Sequence, residues 1–173
     1  MRHHVEHGLA VLARHLVVDE AAAILGVLCI PFFRMQTSFG DASTNPPSSH
    51  TRRAYDLLAA GFGPGFNGPF TIVVDLQGAT TDPIPALSAA IAQTPGIVRV
   101  ADPVKNPAGD TATLTAYPQS SPQAEATNQL VHQLRSKVIP NVMAGTKVKA
   151  YVSGATAGTI DVSDRISSRT PVF

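Results

Sequence analysis

The sequence predicts an α+β domain: a four-stranded, mostly antiparallel sheet with helices on one face, in the order βαββαβ. Three observations predict it. Several short segments alternate apolar and polar residues with a period of two. Two longer segments between them repeat apolar residues at helical spacing. Each alternating segment has a single apolar face, which fits one helical layer.

The elements follow in chain order. Residues 36–50 (QTSFGDASTNPPSSH) are polar and Pro-rich, a loop. Thr51 to Ala60 reads as a helix. Ala54, Leu57 and Leu58 fall at i, i+3, i+4, and Gly61 supplies the stop. Residues 61–69 (GFGPGFNGP) are too rich in Gly and Pro for regular structure; they form a shaped loop carrying Phe62 and Phe66. Phe70, Ile72, Val74 and Leu76 mark the inner face of the first strand, with Thr71, Val73 and Asp75 outward. Asp82-Pro83 reads as an N-cap with Pro at the first helical position. Ile84, Leu87 and Ile91 give that helix its apolar stripe, and Pro95-Gly96 ends it. Ile97 to Val104 is the second strand, and residues 106–110 (NPAGD) are a hairpin connection. Thr111 to Tyr117 alternates strictly, with Ala112, Leu114 and Ala116 inward. Ser121-Pro122 opens the next helix, Leu130, Val131, Leu134 and Val138 form its buried face, and Pro140 closes it. Lys147 to Val152 is the fourth strand, with Val148, Ala150 and Val152 inward. Right-handed β–α–β crossovers put both helices on one face, the split-βαβ or ferredoxin-like arrangement.

Composition narrows the function classes. With 173 residues the chain fits one domain, or one domain plus an appendage. It is 44 % apolar with a net charge of +1, which excludes a disordered chain. Thirteen basic against twelve acidic residues leave no surplus for phosphates, so nucleic acid is not an expected partner. The single cysteine, Cys29, excludes an internal disulfide framework and a Cys-rich zinc site. Charged residues make up only 14 %, against about 25 % in an ordinary soluble domain. Such a surface is shaped to be covered.

Apolar density peaks near the N-terminus. Residues 21–33 (AAAILGVLCIPFF) carry no charge, but a spanning helix needs about 20 residues. Arg14, His15, Asp19 and Glu20 separate this run from the apolar residues 9–13, and Pro31 sits inside it. The segment reads as a damaged or incomplete span, or as an interfacial or buried helix. The acidic flank and the lack of a small-residue cleavage site argue against a signal peptide.

Catalytic motifs are weak. His3, His4, Glu6 and His7 match H-x-x-E-H, an inverted zinc-protease spacing, but at a terminus where chains fray. A polar tail is the expected reading. Gly63, Gly65 and Gly68 match G-x-G-x-x-G in reversed context, with a helix before and a strand after, and Pro64 and Pro69 remove two amide donors. There is no G-x-S-x-G and no P-loop sequence, and His15, His50 and His132 stand singly. Asp161 and Arg165 suggest an i, i+4 pair on a solvated helix. No catalytic residue, cofactor or metal is expected, and the chain is not expected to be an enzyme.

Three segments carry a resemblance. They are residues 39–47 (FGDASTNPP), residues 51–58 (TRRAYDLL) running into the glycine-rich 61–69, and residues 154–165 (GATAGTIDVSDR). Together they resemble actinobacterial MMPL-family transporters of the resistance–nodulation–division superfamily, over about residues 27–173. The resemblance implies an extracytoplasmic porter domain, more like that of the second half of such a transporter, at the plasma membrane. Porter subdomains of that superfamily have the βαββαβ fold. The implied layout is an N-terminal tail and partial membrane helix (1–35), a loop, helix and Gly/Pro-rich loop (36–69), the porter domain (70–153), and an exit helix (154–173) leading to a missing membrane helix. Asp161 and Asp164 match the exit helix. The family's proton-relay carboxylates lie in membrane helices absent here, so the chain is not expected to transport alone.

The implied partners are the remaining transmembrane and porter segments, the membrane, and a hydrophobic or lipid substrate. The outer sheet face (Thr71, Val73, Thr113, Thr115, Tyr117, Lys149, Tyr151) is polar but weakly charged and is expected to pack against a second porter subdomain. Phe62 and Phe66 either line a route for apolar substrate or anchor the glycine loop. The competing reading is a free-standing soluble ferredoxin-like module that binds a small ligand or a partner protein.

Overall fold

A computed structural model describes residues 40–169, together with Glu20 and residues 24–28, which are helical. The chain divides into two compact units, Met1–Thr37 and Ser38–Phe173. Most of the expected membrane segment, Cys29, and the H-x-x-E-H residues lie outside the described residues. Among the described residues no helix is long and apolar enough to cross a membrane.

The second unit begins with a 3₁₀ turn, Ala42–Thr44, capped by Asp41. Then follow α1 (His50–Phe62), a 3₁₀ turn (Pro64–Asn67), β1 (Phe70–Asp75), α2 (Ile84–Ala92), β2 (Ile97–Val100), β3 (Val104–Lys105) and β4 (Thr111–Pro118). The chain continues as α3 (Glu125–Gln133), a π turn (Leu134–Val138), α4 (Ile139–Met143), β5 (Lys149–Ser153) and α5 (Ala155–Arg169). The sheet runs β2-β4-β1-β5, with β3 beside β4, and every pairing is antiparallel. Each crossover joins two strands consecutive in sequence, β1 to β2 and β4 to β5, that are not neighbours in the sheet, which is the split-βαβ order.

One side of the sheet holds the core. Phe70, Ile72 and Val74 of β1 and Leu114 and Ala116 of β4 are completely buried, against Leu87 and Ile91 of α2 and Val131 and Leu134 of the α3–π segment. Parity alone explains the pattern: β1 and β4 alternate buried and half-buried residues without a break.

Several expectations shift for local reasons. The expected second strand is two pieces, because a register shift lies between Ile97 and Arg99 and Pro103 has no N–H to offer a ladder. This makes the sheet five-stranded. Ser121-Pro122 forms a turn rather than a helix start: Ser121 O accepts from Ala124 N, and α3 begins at Glu125. The helix does not close at Pro140. It passes through the π turn, whose wider ring accommodates a residue with no N–H, and ends at Met143. Asp82 lies just outside α2, but its Oδ1 still accepts from Ile84 N. The glycine-rich segment is more ordered than expected: α1 continues through Phe62, and Pro64–Asn67 is a 3₁₀ turn.

Helix α1 differs most. Its expected stripe is not a core stripe, and the helix has no buried residue; Leu57 is 73 % exposed.

Candidate functional site

Two places bring functional side chains together. The first is the outer face of the sheet. Tyr151, Val73, Thr113 and Val104 pair across four strands in one row, and Ser153, Thr71 and Thr115 form the next. Lys149 stands opposite Asp75, and Tyr117 opposite Arg99. All seven residues expected on this face are therefore on it, in register. Lys149, Tyr151, Ser153, Arg99 and Val104 are exposed, and Thr71, Val73, Asp75, Thr113, Thr115 and Tyr117 are half-buried. Arg99 and Val104 also belong to the face; the irregular β2 hid their parity.

An aromatic stack rises at one end of this face. Phe66 lies between Phe62 (ring centroids 4.7 Å apart) and Tyr117 (4.9 Å), and the Arg99 guanidinium stands 5.7 Å from the Tyr117 centroid. The glycine-rich turn reaches the sheet because Gly65 has no side chain: a Cβ there would collide with the Pro118 carbonyl. So this glycine serves backbone packing, not phosphate. The outermost ring, Phe62, is 67 % exposed.

The second place is a cleft of about 410 Å³. Gly40 and Asp41, Asn67, Pro122-Gln123 and the first turns of α5 line it. The three segments that carry the family resemblance are far apart in sequence, and here they meet. Asp41 Oδ1 accepts from Ser43 N at 2.8 Å. Its Oδ2 is buried with no hydrogen bond of good geometry among the described residues. Burial alone would push the Asp41 carboxyl up, but Ser43 and Gln123 outweigh it and hold the carboxyl below its ordinary value. Burial and the Asp41 charge push the Tyr55 phenol up. Asn67 donates from Nδ2 to Tyr55 O, tying the glycine-rich turn to α1. Thr156 donates to Pro122 O from the start of α5. The arrangement joins the irregular segment before α1 to the start of α5.

Helix α5 is fixed once more. Arg135 donates through both terminal nitrogens to the Asp161 carboxylate and through Nη2 to Val152 O on the edge strand. The expected Asp161–Arg165 pair is thus replaced by a partner 26 residues away. Among the described residues no cluster of His, Cys, Asp or Glu could hold a metal.

Comparison with known proteins decides the family. The chain is 39 % identical over 153 residues to the membrane protein YdfJ of Bacillus subtilis, covering 87 % of this chain and 20 % of YdfJ. It is 30 % identical over 159 residues to the mycolic acid-containing lipids exporter MmpL11 of Mycolicibacterium smegmatis, covering 88 % of this chain and 16 % of that protein. The chain corresponds to a segment of MMPL-family membrane proteins. It spans a fifth or less of the length of these two relatives. One of them is from Bacillus, so the likeness extends beyond actinobacteria. No protein-family model matches the chain. A solved structure titled mycobacterial membrane protein MmpL11D2 aligns over 49 % of this chain and 99 % of its own, at 21 % identity and a TM-score of 0.38. That likeness is weak, and the sequence matches carry the assignment.

Proposed function

We propose that this MMPL segment is the extracytoplasmic substrate-handling domain of an exporter of lipids or other hydrophobic compounds. It works together with the membrane helices and the second porter subdomain of such a transporter, at the plasma membrane, and does not transport alone. It has no catalytic role and uses no cofactor. One observation carries the reading. The outer sheet face is in register and only weakly charged, with Lys149, Asp75 and Arg99 among threonines, valines and tyrosines, while the opposite face holds the core. A face of threonines, valines and tyrosines suits a protein partner better than bulk water. The named substrate of MmpL11 supports a lipid class.

The test replaces the corresponding segment of Mycolicibacterium smegmatis MmpL11 with this chain and measures export of mycolic acid-containing lipids. Restored export is the expected result. A chimera that reaches the membrane, folds and exports nothing would overturn the reading. Membrane fractionation of the chain on its own is the second check: recovery wholly in the soluble fraction, without detergent, argues for the free-standing module.

A further inference from the structure

Charge is unevenly spread over the outer face of the sheet. At one end Lys149 stands opposite Asp75, so both signs are present. The other end carries one sign. It is built from residues 61–74, 93–101, 112–124 and 150–160. These four stretches contain no Asp or Glu, and Arg99 is their single charged residue. Arg99 is exposed and makes no salt bridge among the described residues. Asp102, three residues on, lies in the break between β2 and β3 and forms no ion pair with it. The guanidinium instead stands 5.7 Å from the centroid of Tyr117, whose ring stacks on Phe66 and, through it, on Phe62.

We infer that this end anchors the interface with the facing porter subdomain, and that the facing subdomain presents an Asp or Glu to Arg99. This rests on the partner proposed above for the face. Charge decides what the partner must bring. A guanidinium covered without a counter-charge is strongly destabilising, so a surface that covers this end has to supply an acid. Tyr117 restrains the Arg99 side chain before the partner arrives, which lowers the ordering cost of pairing. Tyrosine and arginine dominate interface energies where surrounding contacts exclude water, and Phe62, 67 % exposed, offers such a contact. The same requirement gives specificity, because a basic surface would be repelled.

The test uses the MmpL11 chimera in its membranes. Arg99→Lys puts an amine in place of the guanidinium, and a water-soluble carbodiimide joins amines only to carboxylates they touch. Lys105, 2.6 Å from Asp82, is the internal control for the reagent. Peptide mass spectrometry should find position 99 linked to an Asp or Glu of the MmpL11 portion, beside the Lys105–Asp82 link. Arg99→Glu should lower export about tenfold, and exchanging the linked acid for arginine in that variant should restore it to within about threefold of the parent. The isolated chain carrying Arg99→Glu should keep the parent's urea midpoint; a fall there would mean that Arg99 acts within the domain, and overturns the inference. So does a position 99 that links to no acid of the MmpL11 portion while Lys105–Asp82 forms, and so does full export by Arg99→Glu. If the parent chimera exports nothing, the proposed function fails, and the cross-link, read on the same membranes, still decides this inference.

Discussion

Gly154 shows how much one residue can hold. Its φ of +124° belongs to glycine, and a Cβ there would lie 2.7 Å from the Pro69 carbonyl oxygen. The start of α5 is thereby pressed against the start of β1. Gly154→Ala should destabilise the domain by about 1–3 kcal/mol, read as a lower urea midpoint at unchanged slope. Gly109→Ala, with φ of +73° but open space, should cost about 1 kcal/mol. Equal costs at both positions would mean the close approach is not real. Arg135 is the second such residue. Its hydrogen bonds depress the Asp161 carboxyl. A depressed folded pKa gives stability that is present above the ordinary carboxylate value of about 3.9 and lost as pH falls through the folded value. Asp161→Asn should therefore flatten the acid side of the stability profile below pH of about 4. At neutral pH it should cost under about 1 kcal/mol, because the 59 % exposed carboxylate is screened by water.

At the scale of elements, α1 and α2 make a direct contrast. Both have apolar residues at helical spacing, yet Leu87 of α2 is fully buried and Leu57 of α1 is 73 % exposed. Periodicity reports that a helix has an apolar face and not where the face points. Leu87→Ala should cost about 2–5 kcal/mol in thermal or urea unfolding, and Leu57→Ala less than about 0.5 kcal/mol. If the two were alike, α1 would be a core helix after all. The same limit marks what could be read from the chain. The strand faces of β1 and β4 were legible because a period of two assigns a side chain to a face with no tertiary knowledge. So were the buried Ile84, Leu87 and Ile91. The π turn was not, because it is a compromise between Pro140 and the burial of Leu134 that only packing enforces. The cleft was not either: Asp41, Asn67, Gln123 and Thr156 come from four parts of the chain, and no local spacing links them. The Arg135–Asp161 pair won over Asp161–Arg165 because Arg135 reaches a carboxylate and a strand-edge carbonyl together.

At the scale of the molecule, the low charge fraction and the one-sided sheet are one property. Burying one face on helices satisfies the apolar half of each strand. The other half then decides whether the domain ends in water or in a partner. The edges do not invite further strands: Arg135 caps a carbonyl on β5, and the register shift in β2 interrupts the other side. What is left open is the outer face itself. Thr113 and Thr115 sit at its centre on β4, paired with Val73 and Thr71. Lysine at both positions points away from the core, so Thr113→Lys with Thr115→Lys should leave the urea midpoint of the isolated chain within about 0.5 kcal/mol of the parent. Within the MmpL11 chimera the same pair should abolish lipid export, because two cations would be buried unpaired against the facing subdomain. Loss of export with preserved folding assigns the face to a partner. Undiminished export would show that it faces water inside the transporter as well, and the low charge would then need another explanation.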